Sequence, residues 1–149
     1  MKKYLFLLAA LIGLGLIPKA VQAAENASAR AILILASPEK KGSDPRLSEY
    51  VENLRRLVPG KMESFRAVGE GSSSLKVPGR TNVNLAQGHR LEIETERAEN
   101  NRVRLNVRWF NGNSLLLDQP MATQRGTPAV VAGPKASGND VWAVLLFVN

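Results

Sequence analysis

The pattern of hydrophobic and polar residues contains two short runs that are apolar at every position. Ala31–Ala36 (AILILA) lies near the start of the chain and Val141–Val148 (VWAVLLFV) near its end. A strand with one solvated face alternates apolar and polar residues, whereas a strand buried on both faces is apolar throughout. We therefore predict two strands that are covered on both sides.

One segment between these runs repeats its apolar residues at helical spacing. Asp44 is a good N-cap, and Pro45 suits the first helical position, where a missing N–H loses no hydrogen bond. Pro59 and Gly60 follow the segment and end it. We predict an amphipathic helix over Asp44–Val58 that covers part of the final strand. Its apolar face comprises Leu47, Tyr50, Val51, Leu54 and Leu57.

From Lys61 onward the pattern is that of strands and turns. Arg90–Arg97 and Arg102–Phe110 alternate apolar and polar residues across a short loop, which predicts an antiparallel hairpin. Asn111-Gly112 indicates a second tight turn, because both residues adopt positive φ angles readily. The sequence also indicates a turn at Gly69-Glu70-Gly71. Further strands are predicted at Met62–Val68, Ser73–Val77, Asn82–Ala86, Ser114–Asp118 and Thr127–Ala132, with a flexible loop at Gly133–Asp140.

The polar face of the predicted hairpin carries acidic residues on its first strand and basic residues on its second. In either register that keeps the apolar sets on one face, opposite charges meet, and each such pair contributes about 0.2–1 kcal/mol. A nucleic-acid interface needs clustered, unpaired cations. We therefore interpret this face as solvated and neutralised, with Trp109 on the apolar side. The charged residues are Glu92, Glu94, Glu96, Arg102, Arg104 and Arg108.

These elements together predict an α+β fold. An N-terminal βαβ-like unit with a single amphipathic helix is followed by a mainly antiparallel β-meander, which forms a curled sheet, a sandwich or a partial barrel. A ferredoxin-like layout is the alternative. The length allows one domain, expected at residues 31–149, after a flexible lead-in at residues 24–30.

Residues 1–23 have the three parts of a secretory signal peptide. Two lysines precede the apolar run Tyr4–Ile17, and small residues allow cleavage between Ala23 and Ala24. The run is shorter than the roughly 20 apolar residues that cross a membrane. We expect an exported protein, periplasmic or extracellular, without a stable membrane span after cleavage. Retention of the segment as an anchor is the alternative.

Composition narrows the chemistry. The 149 residues contain no cysteine and one histidine, which excludes thiolate nucleophiles, disulfides and cysteine-ligated metals. The whole chain carries a net charge of +7. Without the three lysines of the signal peptide, 17 basic residues remain against 13 acidic ones, for a net charge of +4. That balance is ordinary for a soluble domain and does not by itself indicate an anionic partner.

Candidate catalytic residues are few. His89 falls at a predicted turn, and a catalytic role would need a nucleophile and an orienting acid beside it. Gly69–Ser74 lacks the lysine ending and the following helix of a phosphate-binding loop. Glutamates at alternate strand positions do not converge on one calcium ion. We predict no catalytic residue, no metal site and no cofactor.

Several segments of the chain resemble an uncharacterised group of small exported bacterial proteins, each a signal peptide followed by one α+β domain. The segments are DPRL (Asp44–Leu47), LRRL (Leu54–Leu57), SFRAVGEG (Ser64–Gly71), GHRLEIE (Gly88–Glu94), VRLNVRW (Val103–Trp109) and RGTPAVVAGP (Arg125–Pro134). The resemblance implies the same exported α+β architecture and carries over no catalytic or ligand-binding residue.

Elimination and the export signal together favour a non-catalytic envelope protein. We expect a periplasmic binding or accessory module that docks on a larger protein assembly, with edge-strand addition as one physical route. No nucleic acid is expected as a partner. A small hydrolase using His89 is one alternative, and an electrostatic binder of anionic lipid, glycan or nucleic acid is another. The cations for such a surface would be Lys40, Lys41, Arg55, Arg56, Lys61 and Arg66.

Overall fold

The computed structural model describes residues 25–149, so the predicted signal peptide and its cleavage site at Ala23 and Ala24 lie outside the described residues. Residues 25–149 form eight strands and one α-helix, with one turn of 3₁₀ helix before it. The elements are β1 (Glu25–Ser37), α1 (Val51–Leu57), β2 (Ser64–Val77), β3 (Gly79–Asn84), β4 (His89–Glu99), β5 (Arg102–Asn111), β6 (Ser114–Gln124), β7 (Ala129–Lys135) and β8 (Val141–Val148).

The strands form two four-stranded sheets. The first has the order β2-β1-β8-β7 and the second the order β3-β4-β5-β6, and the paired strands run antiparallel. The predicted mainly antiparallel structure with one helix is therefore confirmed. The order strand, helix, strand is also present at the start. Because β1 and β2 are antiparallel neighbours, the segment containing α1 returns to the adjacent strand instead of making a ferredoxin-like parallel crossover.

The two all-apolar runs lie in the central strands of the first sheet, as predicted, since Ala31–Ala36 belongs to the second half of β1 and Val141–Val148 is the whole of β8. Alternate residues of both strands face the second sheet, where Leu33 and Val144 are fully buried with Trp109 of β5. The residues between them, such as Ile34 and Leu145, are buried beneath α1. Each run therefore has an apolar environment on both faces, which explains why neither run alternates apolar and polar residues.

The predicted helix Asp44–Val58 is wrong in its length. Pro45–Leu47 forms a 3₁₀ turn, capped by the Asp44 carboxylate, which accepts a hydrogen bond from the Arg46 N–H at 3.0 Å. The α-helix begins only at Val51. Leu47 and Leu54 both pack on the first sheet, whereas Leu57, which was predicted on the apolar face, is 51% exposed. The helical periodicity of the sequence does not show where the α-helix begins after the 3₁₀ turn.

The lead-in predicted at residues 24–30 is, from Glu25 onward, the first half of β1. It pairs with β2, and Ser28 exchanges backbone hydrogen bonds with Asn149 at 2.9 and 3.0 Å. Ala29 is fully buried. Strand pairing satisfies backbone groups regardless of side-chain polarity, so a polar segment is ordered here by its neighbours.

The turn predicted at Gly69-Glu70-Gly71 is also wrong, because these residues lie inside the continuous strand β2. A Cβ atom on Gly71 would clash with the carbonyl oxygen of Asn84, and one on Gly69 would clash with Ala86. The glycines therefore serve the close approach of two backbone segments rather than a change of chain direction.

The β4–β5 hairpin is confirmed, and its register places Glu92 opposite Arg108 as predicted, but the ion pairs of this face join other strands. Glu96 is an extra residue in β4, and this bulge places Arg97 opposite Arg104. Within residues 25–149 no ion pair joins β4 to β5. Glu94 instead pairs with Arg80 of β3 at 2.9 Å, because both outer neighbours also bring charges to this face. On the other flank, Arg108 pairs with Asp118 of β6 at 3.5 Å.

The loop predicted at Gly133–Asp140 is shorter in the structure. Strand β7 continues to Lys135, and the remaining turn is closed by hydrogen bonds between Ala136 and Asp140 and between Asp140 and Ser137. Among the helices of residues 25–149, none has the length and apolar character needed to cross a membrane.

Candidate functional site

His89 closes the predicted turn and is also a core residue, because its N–H donates to the Ala86 carbonyl at 3.1 Å. It begins β4, is 2% exposed, and packs between the indoles of Trp109 and Trp142, with ring centroids 5.8 and 4.7 Å away. Its Nδ1 accepts a hydrogen bond from the Nε1–H of Trp109 at 3.0 Å. Burial lowers the pKa of His89, so the ring is neutral near pH 7.

This geometry gives His89 a structural task. A buried indole N–H needs an acceptor, and the neutral imidazole supplies one. In the described part of the chain, the bond from Trp109 is the one hydrogen bond of the His89 side chain, and neither a serine hydroxyl nor a carboxylate contacts it that way. The nucleophile and the orienting acid that a hydrolase would need therefore do not accompany this histidine.

The sheets meet closely on one lateral side, which we call the closed side and define by β2 and β3. The hydroxyl groups of Ser73 and Thr81 are 2.6 Å apart, and the Thr95 hydroxyl donates a hydrogen bond to the Lys76 carbonyl at 2.8 Å. The start of β2 is covered as well. There the Asp44 N–H donates to the Phe65 carbonyl at 2.9 Å.

The opposite lateral side, which we call the open side, consists of β6 and β7. Each is the edge strand of its own sheet, and no hydrogen bond joins the two strands within residues 25–149. The sheets are connected there from inside, where the Trp109 ring lies against Gly133 of β7 so closely that a Cβ on Gly133 would clash. The outer edges of β6 and β7 thus remain without a backbone partner.

The first half of β6 is the most apolar exposed part of this edge. Leu115 is 47% exposed and lies opposite Phe110 of β5 in the strand register. Phe110 is flanked by the guanidinium groups of Arg90 and Arg108, at 4.5 and 5.6 Å from its ring centroid. An apolar spot bordered by cations therefore lies beside a free strand edge.

The structure places the six predicted anion-binding cations on α1, in the loops before and after it, and on β2. Arg55 and Arg56 lie on α1, where Glu52 and Asn53 engage them at 3.7 and 3.0 Å. Lys40 lies in the exposed loop after β1. The other three border two cavities at one end of the first sheet. Lys41 and Arg66 line one cavity, and Lys61 lines the other together with Lys135, which sequence reasoning missed because it is distant in the chain.

Residues 25–149 contain no group of three or more histidine, aspartate or glutamate side chains placed to hold a metal ion. Neither a protein-family model, nor a curated protein, nor a solved structure matches the chain. The resemblance to small exported bacterial proteins therefore stays an expectation. Function must be inferred from the strand edges and side-chain contacts of the protein itself.

Proposed function

We propose that the protein is an exported, non-catalytic envelope protein, a binding or accessory module that docks on a larger protein assembly by accepting a partner strand along β6. In this proposal the two sheets are the layers of a sandwich, and the sandwich is open on the side of β6 and β7. Export of the protein would depend on the predicted signal peptide at residues 1–23.

The single observation that carries the proposal is the free edge of β6 on the open side. An edge strand offers a row of unpaired N–H and C=O groups to another chain. The edges of β2 and β3 are covered by each other and by the loop at Asp44, whereas β6 is eleven residues long and has no second neighbour among residues 25–149. Leu115 adds exposed apolar area beside that edge.

Pro120 sets the length of the usable edge. It lies opposite Asn106 in the register, and proline occurs in a sheet where its nitrogen points away from the ladder. In an antiparallel ladder, residues two apart point their N–H groups the same way, so the Asp118 N–H points outward too. Leu116 is an extra residue of β6 in this register, so a partner strand would pair with the parts of Ser114–Gln119 on either side of it and stop at Pro120.

A matched pair of substitutions tests this edge. Asp118→Pro removes the outward N–H and the carboxylate, whereas Asp118→Ala removes only the carboxylate, with its contacts to Arg108 at 3.5 Å and Asn106 at 2.8 Å. The tagged protein is crosslinked in its own cell envelope and captured under low-salt and high-salt washes. We expect a discrete protein partner with wild type and Asp118→Ala at both salts, and loss of that partner with Asp118→Pro.

Two controls keep the result interpretable. Circular dichroism and thermal unfolding show whether Asp118→Pro folds, and hydrogen exchange of wild type with and without the partner shows whether Ser114–Gln119 gains protection. Equal capture with both variants and no gain of protection would contradict strand addition. Capture that vanishes at high salt in every variant would favour the electrostatic alternative, because exposed ion pairs weaken as salt screens them.

A further inference from the structure

A cavity of about 440 Å³ opens at one end of the first sheet. It is lined by Leu35 of β1, Arg66 of β2, the loop residues Lys41–Ser43 and Asp140. Leu35 and Arg66 are register partners on adjacent strands, so the sheet itself fixes their spacing. None of the lining residues belongs to β6. The cavity therefore shares no residue with the strand edge of the proposed function.

The loop of this cavity is held in place by its own hydrogen bonds to β2. Ser64 Oγ accepts a bond from the Lys41 N–H at 2.7 Å and donates one to the Glu39 carbonyl. Ser43 Oγ accepts a bond from the Phe65 N–H at 3.1 Å. The wall of the cavity is consequently preformed, which lowers the entropy lost when a ligand binds.

Two backbone donors lie between these hydrogen bonds. The N–H groups of Gly42 and Ser43 donate to no residue of the described chain. Gly42 has φ = +76°, and a Cβ there would meet no atom within 4 Å, so glycine is favoured for the conformation and not for space. A positive-φ residue in such a loop directs successive N–H groups into one concavity, an arrangement that favours anions.

The charges of the cavity favour a single negative charge on the ligand. Arg66 forms no ion pair with any residue from 25 to 149, whereas Lys41 is paired with Glu39 at 2.8 Å and Asp44 with Arg46 at 2.8 Å. Arg66 is thus the cation left for a ligand. Asp140 on the rim opposes a dianion such as phosphate more strongly than a monoanion.

We propose that this cavity binds a carboxylate that carries an apolar group. The carboxylate accepts hydrogen bonds from the Arg66 guanidinium and from the Gly42 and Ser43 N–H groups, and the apolar group packs on Leu35. An arginine presents two parallel donors that match the two oxygens of a carboxylate. A free organic acid and the C-terminus of a peptide both carry this chemistry.

Titration calorimetry and amide NMR on the purified protein test the site with four probes. They are octanoate, acetyl-Leu-Leu with a free C-terminus, the same peptide as its C-terminal amide, and inorganic phosphate. We expect a carboxylate probe to bind and to shift the amide signals of Gly42 and Ser43. Arg66→Gln is expected to weaken that binding by roughly tenfold or more. Arg56→Gln, an exposed arginine outside the cavity, is the matched control and is expected to bind like wild type.

The outcomes separate the two sources of the carboxylate. Binding of octanoate alone indicates a free organic acid, binding of the free peptide alone indicates a C-terminus, and binding of both supports the class. The proposal is overturned if no carboxylate binds, if the amide or phosphate binds as tightly, or if Arg66→Gln leaves the affinity unchanged. An unchanged unfolding temperature of Arg66→Gln shows that weaker binding is not a loss of fold.

Discussion

The closed and open sides connect the two sheets by different kinds of contact. On the closed side, backbone meets backbone, since Gly71 leaves room for the Asn84 carbonyl and the Ser73 and Thr81 hydroxyls meet at 2.6 Å. On the open side, an indole ring from β5 reaches across to Gly133, and no hydrogen bond joins β6 to β7 within residues 25–149. A close approach of two backbones leaves no room for a further strand between them, whereas a contact through one side chain leaves the strand edges open. The open side is therefore the one that can accept another strand.

The largest losses of stability are expected from adding a methyl group where the two sheets meet, at Gly71 on the closed side or at Gly133 on the open side. Gly71→Ala is predicted to lower the free energy of unfolding by about 3 kcal/mol or more, because its obstacle is a backbone carbonyl. Gly133→Ala is predicted to cost about 2–3 kcal/mol, since a buried indole has little room to move. Urea denaturation measures both. Gly138→Ala is the matched control, with φ = +58° and open space around it, and is predicted to cost about 1 kcal/mol. Equal losses at all three glycines would remove the distinction between the two sides.

Removing the acceptor of Trp109 is the next largest change. His89→Ala leaves the buried Nε1–H unpaired and opens space between two indoles, so we expect a loss of about 2–3 kcal/mol in urea denaturation. His89→Gln keeps an acceptor oxygen and should lose less. If the two variants were equally stable, the hydrogen bond at 3.0 Å would not support the open side. Loss of an activity in His89→Ala alone would not identify a hydrolase, because the fold is weakened too.

Acid should weaken the open side through the same residue. Burial lowers the pKa of folded His89 below its ordinary value of 6.5, so the unfolded chain takes up a proton first. Stability is therefore full above about pH 7 and falls as the pH drops through 6.5 toward the folded pKa. Urea midpoints of wild type and His89→Gln between pH 8 and pH 5.5 measure this difference. A wild-type midpoint that changes no more than that of His89→Gln would contradict the assignment.

The smallest effect is expected at the loop that covers β2 on the closed side. Hydrogen bonds from Arg46 lower the pKa of Asp44 to about 2. Its contribution is present above the ordinary value of 3.8 and is lost as the pH falls through about 2. Asp44→Ala should speed hydrogen exchange of the Phe65 amide near neutral pH and leave the Ile34 amide in the core unchanged. Unchanged exchange at Phe65 would show that this cap does not hold the loop.

Local patterns predicted the elements whose surroundings are simple. Ala31–Ala36 of β1 and the whole of β8 are apolar throughout because they lie in central strands with cores on both faces. The β4–β5 hairpin alternates because one face is solvated. The turn after β5 was predictable too, since Gly112 adopts φ = +58°. In each case the burial or the backbone conformation of a residue follows from its neighbours in the sequence.

Other features depend on segments far apart in the chain. The polar residues at 25–30 become a strand because β2 pairs with them, and Gly69 and Gly71 are fixed by Ala86 and Asn84. Hydrophobic patterning records which face of an element is buried, but it does not record which strand lies beside it. For the same reason the pattern does not predict the candidate binding cavity, which is lined by Arg66, the loop at Gly42 and the distant residue Asp140.

By itself, the sequence determined the mainly antiparallel class with one helix, the two doubly buried strands and the absence of cysteine chemistry. The tertiary structure alone decided that His89 serves Trp109, that the edges of β2 and β3 are covered, and that β6 has no second neighbour among residues 25–149. The physical reason is that burial periodicity is a local property of the chain. Edge exposure, hydrogen-bond partners and cavities arise only when distant strands meet.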